Sequence, residues 1–245
     1  MVMVKLMIRY YINTAIRSFK ALTKNWQALF YLIVYFLLLY IASASVGRIA
    51  IIGGIIYALA VSACAGSWLY LVENMINGNT VSIEDFKYSF KPYFVRVINV
   101  NFYLWLVLMV YDLVIAKILG TLPYGGIINS IVYVCIWVLL NPLPELIYQT
   151  YHSEIQLFGD SFQFIKENFP EWMIPNVIFG ALLYYLSSGN LTFIFNFNAI
   201  SILKLALSLI LFMFVMIYRG ILFRFLNESS RRSRLFKLQM MKWMK

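Results

Sequence analysis

The sequence is poor in charged residues: only 12% of its 245 residues are Asp, Glu, Lys or Arg, against about a quarter in soluble domains. It also has one histidine and two cysteines, too few for a zinc cluster or a disulfide framework. Hydrophobic residues make up 62% of the chain and run in blocks too long for a water-soluble core. These shortages exclude a soluble globular enzyme and predict a chain that lies in a lipid bilayer.

Basic residues are concentrated at the two ends of the chain. Residues 1–24 hold five Lys and Arg and no acid, and the segment from Arg219 onward holds eight against the single acid Glu228. Such an excess can mark a nucleic-acid-binding protein. Basic residues that flank apolar spans, however, set membrane topology and attract anionic lipid headgroups. We therefore expect the lipid bilayer as partner and no nucleic acid.

Long uncharged stretches predict an all-α polytopic integral membrane protein with about six transmembrane helices. A helix of about 20 apolar residues crosses the hydrocarbon layer, and a group of Gly and Pro at 120–126 delays the start of the fourth span. Residues 1–26 precede this transmembrane domain of 27–218, and a basic tail of 219–245 follows it. The predicted spans are 28–46, 49–72, 97–116, 127–146, 173–186 and 200–218, with inner connections 73–96 and 147–171.

Six spans place both ends on one side, and the distribution of basic residues indicates which side. With cytoplasmic ends, 17 Lys and Arg lie on the inner side and only Arg48 and Lys117 on the outer side. Both termini are therefore predicted to be cytoplasmic. No cleavable signal is expected, because the first apolar run is of span length and lacks a small-residue cleavage pattern.

The first arm predicts an amphipathic helix over Ile8–Trp26. Its apolar residues recur in steps of three and four, and its basic residues fall on the other face. Two interpretations are open: the helix lies in the inner headgroup layer as an anchor, or it docks a cytoplasmic partner. The apolar stripe consists of Ile8, Ile12, Ala15, Phe19, Leu22 and Trp26.

Each inner connection is predicted to hold a short capped helix. Ser82 and Asp85 have the spacing of a capping box in the first connection. In the second, Gly159 is expected to end one segment and Asp160 with Gln163 to cap the next. Because aromatic anchors dominate protein interfaces, we expect aromatic residues here to contact a partner, unless they face the lipid headgroups. These residues are Phe86, Tyr88, Phe90, Phe162 and Phe164.

Ionisable residues inside membrane spans are costly and suggest function. Asp112 and Lys204 lie at similar predicted depth, so an intramembrane ion pair between them is a hypothesis; the alternative for Lys204 is snorkelling to the outer headgroups. A stripe of small residues in the second span predicts close helix packing, within the chain or with a second copy. The stripe consists of Gly54, Ala58, Ser62 and Gly66.

Motifs of catalysis are scarce. The sequence has no Gly-rich phosphate loop after a strand, no GxSxG and no HExxH, and adjacent Glu84 and Asp85 suit the first turn of a helix. We therefore expect no catalytic residue, no cofactor and no metal. The one open alternative is a membrane-embedded enzyme that uses the region of His152 and Glu154.

The layout resembles that of the membrane subunits of ABC-type exporters. The resemblance implies an interfacial N-terminal helix, six spans, a coupling helix between spans two and three, a second inner loop between spans four and five, and a re-entrant element before the sixth span. The loop Asn77–Ser82, followed by an aromatic-rich helix, is also similar to that of uncharacterised six-span bacterial membrane proteins, and carries no function with it. The corresponding pieces are Ile8–Trp26, Ser82–Lys91, Asp160–Asn168 and Leu191–Ile200.

The resemblance implies a permease subunit of a multi-subunit transporter, driven by a separate ATPase on the cytoplasmic side. Such a subunit would form a homodimer or pair with a second membrane subunit. The alternative is a non-transporting assembly, immunity or regulatory protein whose inner helices pack only on lipid. The abundance of Ile, Asn, Lys, Tyr and Phe suggests an AT-rich bacterial genome, and hence a bacterial plasma membrane.

Overall fold

The computed structural model describes residues 2–187 and 199–228. Every regular element in these two ranges is a helix, which confirms the predicted all-α class for the described part of the chain. Residues 191–198 of the predicted element Leu191–Ile200 lie outside these ranges. The tail beyond Glu228 lies outside them as well. In chain order, the elements are α1 Val2–Lys24, α2 Ala28–Ile76, α3 Ile83–Ser89, α4 Phe94–Val110, a π-helical turn Tyr111–Ile115, α5 Ala116–Gly120, α6 Gly125–Leu139, α7 Leu143–Gln149, α8 Glu154–Ser187 and α9 Ala199–Glu228.

Five stretches of helix are long and apolar enough to cross a membrane. They overlap the first, second, third, fourth and sixth predicted spans. The fifth predicted span, 173–186, lies inside α8 and is not among the five. The described part of α8 ends at Ser187, and only described residues enter this comparison. The five stretches are Ala28–Val46, Ile52–Ile76, Phe94–Gly120, Gly125–Gln149 and Ile200–Glu228.

The long helix α2 folds back on itself between Val46 and Ile52. The Ser45 hydroxyl donates a hydrogen bond to the carbonyl of Gly53, at 3.3 Å. In a straight helix, residues eight positions apart are separated by about 12 Å, so this contact requires a reversal. The two apolar parts of α2 therefore form a helical hairpin, at the place where Arg48 interrupts the apolar run.

The described residues fall into two compact units. The first unit contains the residues up to Phe36, Leu71–Ile83 and those from Glu167 onward. The second unit contains Leu37–Tyr70 and Glu84–Lys166. Helices α2 and α8 contribute residues to both.

In the first unit, α1 packs against α9. The Tyr10 ring stacks on Phe225 with 4.0 Å between centroids, and the Tyr11 hydroxyl donates to the Glu171 carbonyl at 2.9 Å. Burial, and secondly the charge of Glu171, raises the pKa of Tyr11 to about 12, so the hydroxyl stays protonated and remains a donor at neutral pH. Deeper in this unit, the buried rings of Trp172 and Phe223 meet edge to face.

The face of α1 that packs on the protein includes Leu22 of the apolar stripe, which is 8% exposed, but not most of the stripe. The stripe residues Ile8, Ile12 and Phe19 are exposed, whereas the small polar residues Thr14 and Ser18 are buried. The Ser18 hydroxyl donates to the Thr14 carbonyl at 2.8 Å, so it is satisfied within the helix. Small side chains allow close approach of helices, which leaves most of the apolar stripe free to face lipid.

A buried asparagine holds the junction between α1 and α2 to the loop that precedes α3. Asn25 is 2% exposed; its Oδ1 accepts from the Val81 amide at 2.7 Å, and its Nδ2 donates to the carbonyls of Ala21 and Asn79 at 3.0 and 3.3 Å. One side chain therefore pairs with the Val81 amide and the Asn79 carbonyl in the loop, and gives a second hydrogen bond to the Ala21 carbonyl, which already accepts from the Asn25 amide. Gly78, with φ +84°, provides the left-handed turn in this loop.

In the second unit, breaks in the helices are compensated by side chains. The π-helical turn carries Tyr111, whose hydroxyl is 2.6 Å from Asn129 Oδ1 on α6. Pro142 ends the run from α6, because proline offers no N–H to the preceding turn. The Ser161 hydroxyl donates to the carbonyl of Leu139 at 2.5 Å, so a carbonyl at the end of α6 is satisfied by α8.

The start of α8 differs from the prediction. The helix begins at Glu154 and runs through Gly159 and Asp160, so the predicted cap at Asp160 and Gln163 is wrong. The Ser153 amide instead donates to the side chain of Gln156 at 3.2 Å, because the same capping-box spacing occurs seven residues earlier. A helix interior tolerates one glycine at a cost of about 1 kcal/mol. The kink comes later, at Asn168 (φ −128°), where the ring of Pro170 disrupts the helix.

A candidate docking surface on two connections

The connection 73–96, predicted to be the first inner one, exposes aromatic side chains on α3. Tyr88 is 56% exposed, and its ring packs edge to face on Tyr70 with 5.7 Å between centroids. Phe86 and Phe90 are half-buried and contact each other at 5.4 Å. A buried hydrogen bond between the hydroxyls of Ser67 and Ser89 fixes the end of α3 against α2. Tyr88 is therefore the most accessible of the three predicted anchors in this connection.

The connection 147–171, predicted to be the second inner one, exposes Phe162 and buries Phe164. Phe162 is 55% exposed on α8, whereas Phe164 is only 5% exposed. A buried ring is not available to a docking protein, so the prediction for Phe164 is wrong. Residues two apart on a helix point in different directions, and the sequence pattern alone did not show which one faces the core. Tyr151, just before α8, is fully exposed.

Within the second unit, Arg96 forms hydrogen bonds that join the first connection to the second. It lies in the first turn of α4, and its guanidinium donates to the carbonyls of Thr150 at 2.6 Å and of His152 at 2.7 Å. The Tyr93 hydroxyl also reaches the Tyr148 carbonyl, at 3.5 Å. Thr150 has an extended backbone, so its carbonyl is free of helix hydrogen bonds. Arg96 thereby fixes the link between α7 and α8 against the end of the first connection.

The imidazole of His152 pairs with a carboxylate beside this link. Its Nδ1 lies 2.6 Å from Oδ2 of Asp160, one turn or more into α8. The His152 side chain is 58% exposed. Such a contact orients the ring and holds the link against α8.

Asp112 and Lys204 each have a partner within their own unit. The Tyr133 hydroxyl donates to Asp112 Oδ1 at 2.6 Å in the second unit. In the first unit, the Lys204 ammonium lies over the Tyr185 ring, 5.9 Å from its centroid. Because the two residues belong to different units, the ion pair between them stays a prediction.

The stripe of small residues on α2 has two different halves. Ser62 is buried, and its hydroxyl accepts from Asn101 at 3.2 Å. A Cβ built on Gly66 would lie 3.0 Å from the carbonyl carbon of Tyr93, so the backbones approach closely here. Gly54 and Ala58, in contrast, are exposed. Only the second half of the stripe therefore packs within the chain's second unit.

Sequence reasoning missed Arg96 and Asn25 as organising residues. Arg96 counted only as one of the inner basic charges, and Asn25 only as a residue between two helices. A signal exists for Asn25, since a polar residue between two apolar helices often satisfies the free groups of the helix ends. No sequence signal predicts the partner of Arg96, because Thr150 and His152 are more than fifty positions away.

Changing Arg96 to Gln is expected to loosen the link between α7 and α8. Two charge-assisted hydrogen bonds are lost, of which the one to Thr150 is partly buried and the one to His152 is exposed, so together they contribute about 1.5–3 kcal/mol. Hydrogen exchange of the amides at 150–153 should become about tenfold to a hundredfold faster. Lys91→Gln, an exposed residue nearby, provides the control and should leave that exchange unchanged. Equal exchange in Arg96→Gln and the parent chain would show that Arg96 does not hold the link.

The geometry thus offers an exposed, aromatic surface on two linked connections, which we call the aromatic surface (Tyr88, Tyr151 and Phe162). Comparison of the chain with protein-family models, with curated proteins and with solved structures finds no match.

Proposed function

We propose that the chain is the membrane-spanning permease subunit of a multi-subunit transporter of the ABC exporter type, driven by a separate cytoplasmic ATPase. The five membrane-length helices provide the bilayer-embedded part. The aromatic surface provides the docking part, because Tyr88 and Phe162 lie outside those helices and expose more than half of their side chains. Aromatic side chains that remain exposed beyond the spans are typical anchors for a partner.

The observation that carries the proposal is the connection made by Arg96. A coupling surface has to transmit force from a partner to the spans, and loose loops do not do so. Arg96 begins the third span and binds two carbonyls of the link before α8. A displacement of either connection is therefore transmitted directly to the start of α4.

The charge distribution supports cytoplasmic ends, and the abundance of Ile, Asn, Lys, Tyr and Phe is the ground for proposing a bacterial plasma membrane as the location. The inner segments of the six-span topology hold 17 basic residues and the outer ones two. In this orientation the aromatic surface faces the cytoplasm, where an ATPase is available.

The exposed third and fourth spans support a membrane partner. Only 6% of the apolar window in Phe94–Gly120 and 11% of that in Gly125–Gln149 are buried. These helices therefore have faces left for lipid, for a second copy of the chain or for another membrane subunit. Gly54 and Ala58 on α2 are exposed as well.

One observation favours the alternative, a non-transporting assembly, immunity or regulatory protein. Ile8, Ile12 and Phe19 on α1 are exposed although α1 packs on the protein. An exposed apolar stripe of this kind fits the lipid headgroup layer. If the aromatic surface also lies in that layer, it anchors the chain and binds no protein.

Purification of the tagged chain from native membranes in mild detergent separates the two functions. We expect an ATPase to co-elute in stoichiometric amount with ATP hydrolysis in the eluate, identified by mass spectrometry. Tyr88→Ala combined with Phe162→Ala should lower its recovery at least about tenfold, since interface anchors contribute about 2 kcal/mol each. Tyr124→Ala is the matched control, because Tyr124 is exposed on the connection predicted to face outward.

The opposite result is equally clear. Elution of the chain alone without ATP hydrolysis, or equal recovery of the ATPase with the double variant, would contradict docking at the aromatic surface. The first outcome would favour the non-transporting alternative.

A further inference from the structure

A cavity of about 510 Å³ opens in the first unit, between α1, the end of α2 and the end of α9. Its charged lining is unbalanced: four basic side chains face one acid, Glu228, which gives a net charge of +3. The basic residues are Arg17, Lys20, Lys24 and Arg224. Three of them follow one another at three- and four-residue steps along α1, so they share one face of that helix.

Two of the four cations are held in place by the chain itself. Lys24 Nζ donates to the Gly78 carbonyl at 2.5 Å, and the Arg224 guanidinium donates to Asn77 Oδ1 at 2.9 Å. Both partners are neutral acceptors, so neither cation is compensated. In the described ranges, none of the four forms an ion pair. Like charges so close together repel each other, and a bound anion would remove that repulsion.

We propose that this cavity binds a phosphate-bearing anion, supplied as the headgroup of an acidic phospholipid or as a soluble phosphate compound. Arg presents a planar fork of donors to phosphate, and Lys acts as a strong point charge. Apolar side chains line the same cavity, namely Met75, Ile76 and Ile221, so it also accepts the apolar end of a lipid. This site does not depend on the proposed transport function.

Charge and position both favour phosphate over other ligands. An uncharged or cationic ligand would leave the net +3 of the cavity uncompensated. The exposed apolar stripe of α1 places this helix at a membrane surface, and the basic ends of the chain predict the inner surface, where anionic headgroups are concentrated. The ring of Tyr10, stacked on Phe225, forms a rigid wall of the cavity.

Thermal unfolding of the purified full chain in a neutral maltoside detergent tests the proposal. Dioleoylphosphatidylglycerol should raise the Tm in a saturable way, because a ligand of the folded state stabilises it. Dioleoylphosphatidylcholine, whose phosphate charge is balanced by choline, should have little effect. An equal Tm rise with both lipids would overturn the proposal.

Variants test whether phosphatidylglycerol raises the Tm by binding in the cavity. Arg17→Gln combined with Lys20→Gln should weaken phosphatidylglycerol binding at least about tenfold, and both side chains are exposed and make no hydrogen bond to the described fold. Arg9→Gln combined with Lys166→Gln removes the same charge outside the cavity and should change binding less than about twofold. Glu228→Gln should strengthen binding, since it removes the one acid. Equal weakening by the two double variants would overturn the proposal.

Inorganic phosphate distinguishes the two sources of the bound phosphate group, an acidic phospholipid and a soluble phosphate compound. Displacement of phosphatidylglycerol by sodium phosphate, against sodium chloride of equal ionic strength, would support a soluble phosphate compound as occupant. Lipid binding that sodium phosphate does not displace would support the acidic headgroup together with its apolar tail.

Discussion

Replacing Gly66 by Val should destabilise the chain by about 3 kcal/mol, one of the two largest effects that the structure predicts. A Cβ at position 66 lies 3.0 to 3.2 Å from backbone atoms of Tyr93 and Phe94. Backbone atoms cannot rotate away as a flexible side chain does, so α2 and the start of α4 must separate. Overpacking of this kind costs about 1–3 kcal/mol and occasionally more, and a β-branched side chain adds a second methyl group to the same contact.

The same stripe provides a matched control at Gly54. A Cβ on Gly54 meets no atom within 4 Å, so Gly54→Val should change the stability by less than about 0.5 kcal/mol. Thermal unfolding in detergent and the yield of monodisperse protein measure both variants. Gly66→Ala adds a sharper comparison, because the gain in helix propensity of about 1 kcal/mol opposes the close contact. Equal Tm values for the two Val variants would contradict the close approach of α2 and α4.

Replacing Asn25 by Ala should cost about 2–4 kcal/mol. Its side chain pairs with the Val81 amide and the carbonyls of Ala21 and Asn79, and Val81 is itself buried. Leaving a buried backbone donor without an acceptor costs about 1–3 kcal/mol. The loss of the two bonds that Nδ2 donates adds to this. The loop from Asn79 to Val81 should detach, so the Val81 amide should exchange with solvent faster by at least about tenfold.

Gln27→Ala is the control for Asn25→Ala. Gln27 is exposed at the start of α2, and its side chain makes no capping hydrogen bond. Its replacement should leave both the Tm and the exchange of Val81 unchanged. Asn25→Asp separates the contribution of the accepted hydrogen bond from that of the two donated ones. The carboxylate keeps an acceptor for the Val81 amide and loses the donor for the carbonyls of Ala21 and Asn79. Full stability of Asn25→Ala would contradict the role of Asn25 at the junction.

The first two membrane-length helical stretches were predictable because charge marks their limits. Lys24, Arg48 and Glu73 bracket two uncharged stretches, and the hairpin of α2 folds back at Arg48. Desolvating a charged side chain in hydrocarbon is costly, so a basic residue between two long apolar runs is a strong signal for a turn at the membrane surface.

Charge is a weaker signal for where a helix ends. The tail was predicted from Arg219 onward, but α9 continues to Glu228. Arg219 and Arg224 end the apolar run, yet Arg and Leu are both good helix formers, and nothing in the sequence up to Glu228 breaks the helix. The predicted limits of a span and the limits of its helix therefore differ.

The internal organisation of the connections depended on contacts that are distant in sequence. Asp160 and Gln163 have capping spacing, but Ser153 and Gln156 have it too, and the Ser153 amide bonds to Gln156. The helix continues through Asp160, Ser161 bonds to the distant Leu139 carbonyl, and Phe164 is buried. Local patterns could not choose between these alternatives, because tertiary hydrogen bonds decide between them.

The aromatic surface and the basic cavity rest on a common claim, that a membrane-embedded helical chain presents both to the cytoplasm. Single cysteines at Tyr88, Tyr151, Lys20 and Tyr124, in a chain with Cys64 and Cys135 changed to Ser, test this claim directly in intact cells with a membrane-impermeant maleimide. We expect Tyr124→Cys to be labelled in intact cells, and the other three only after the membrane is permeabilised. Labelling of Tyr88→Cys or Lys20→Cys in intact cells, with Tyr124→Cys protected, would contradict the orientation and, with it, both proposed sites.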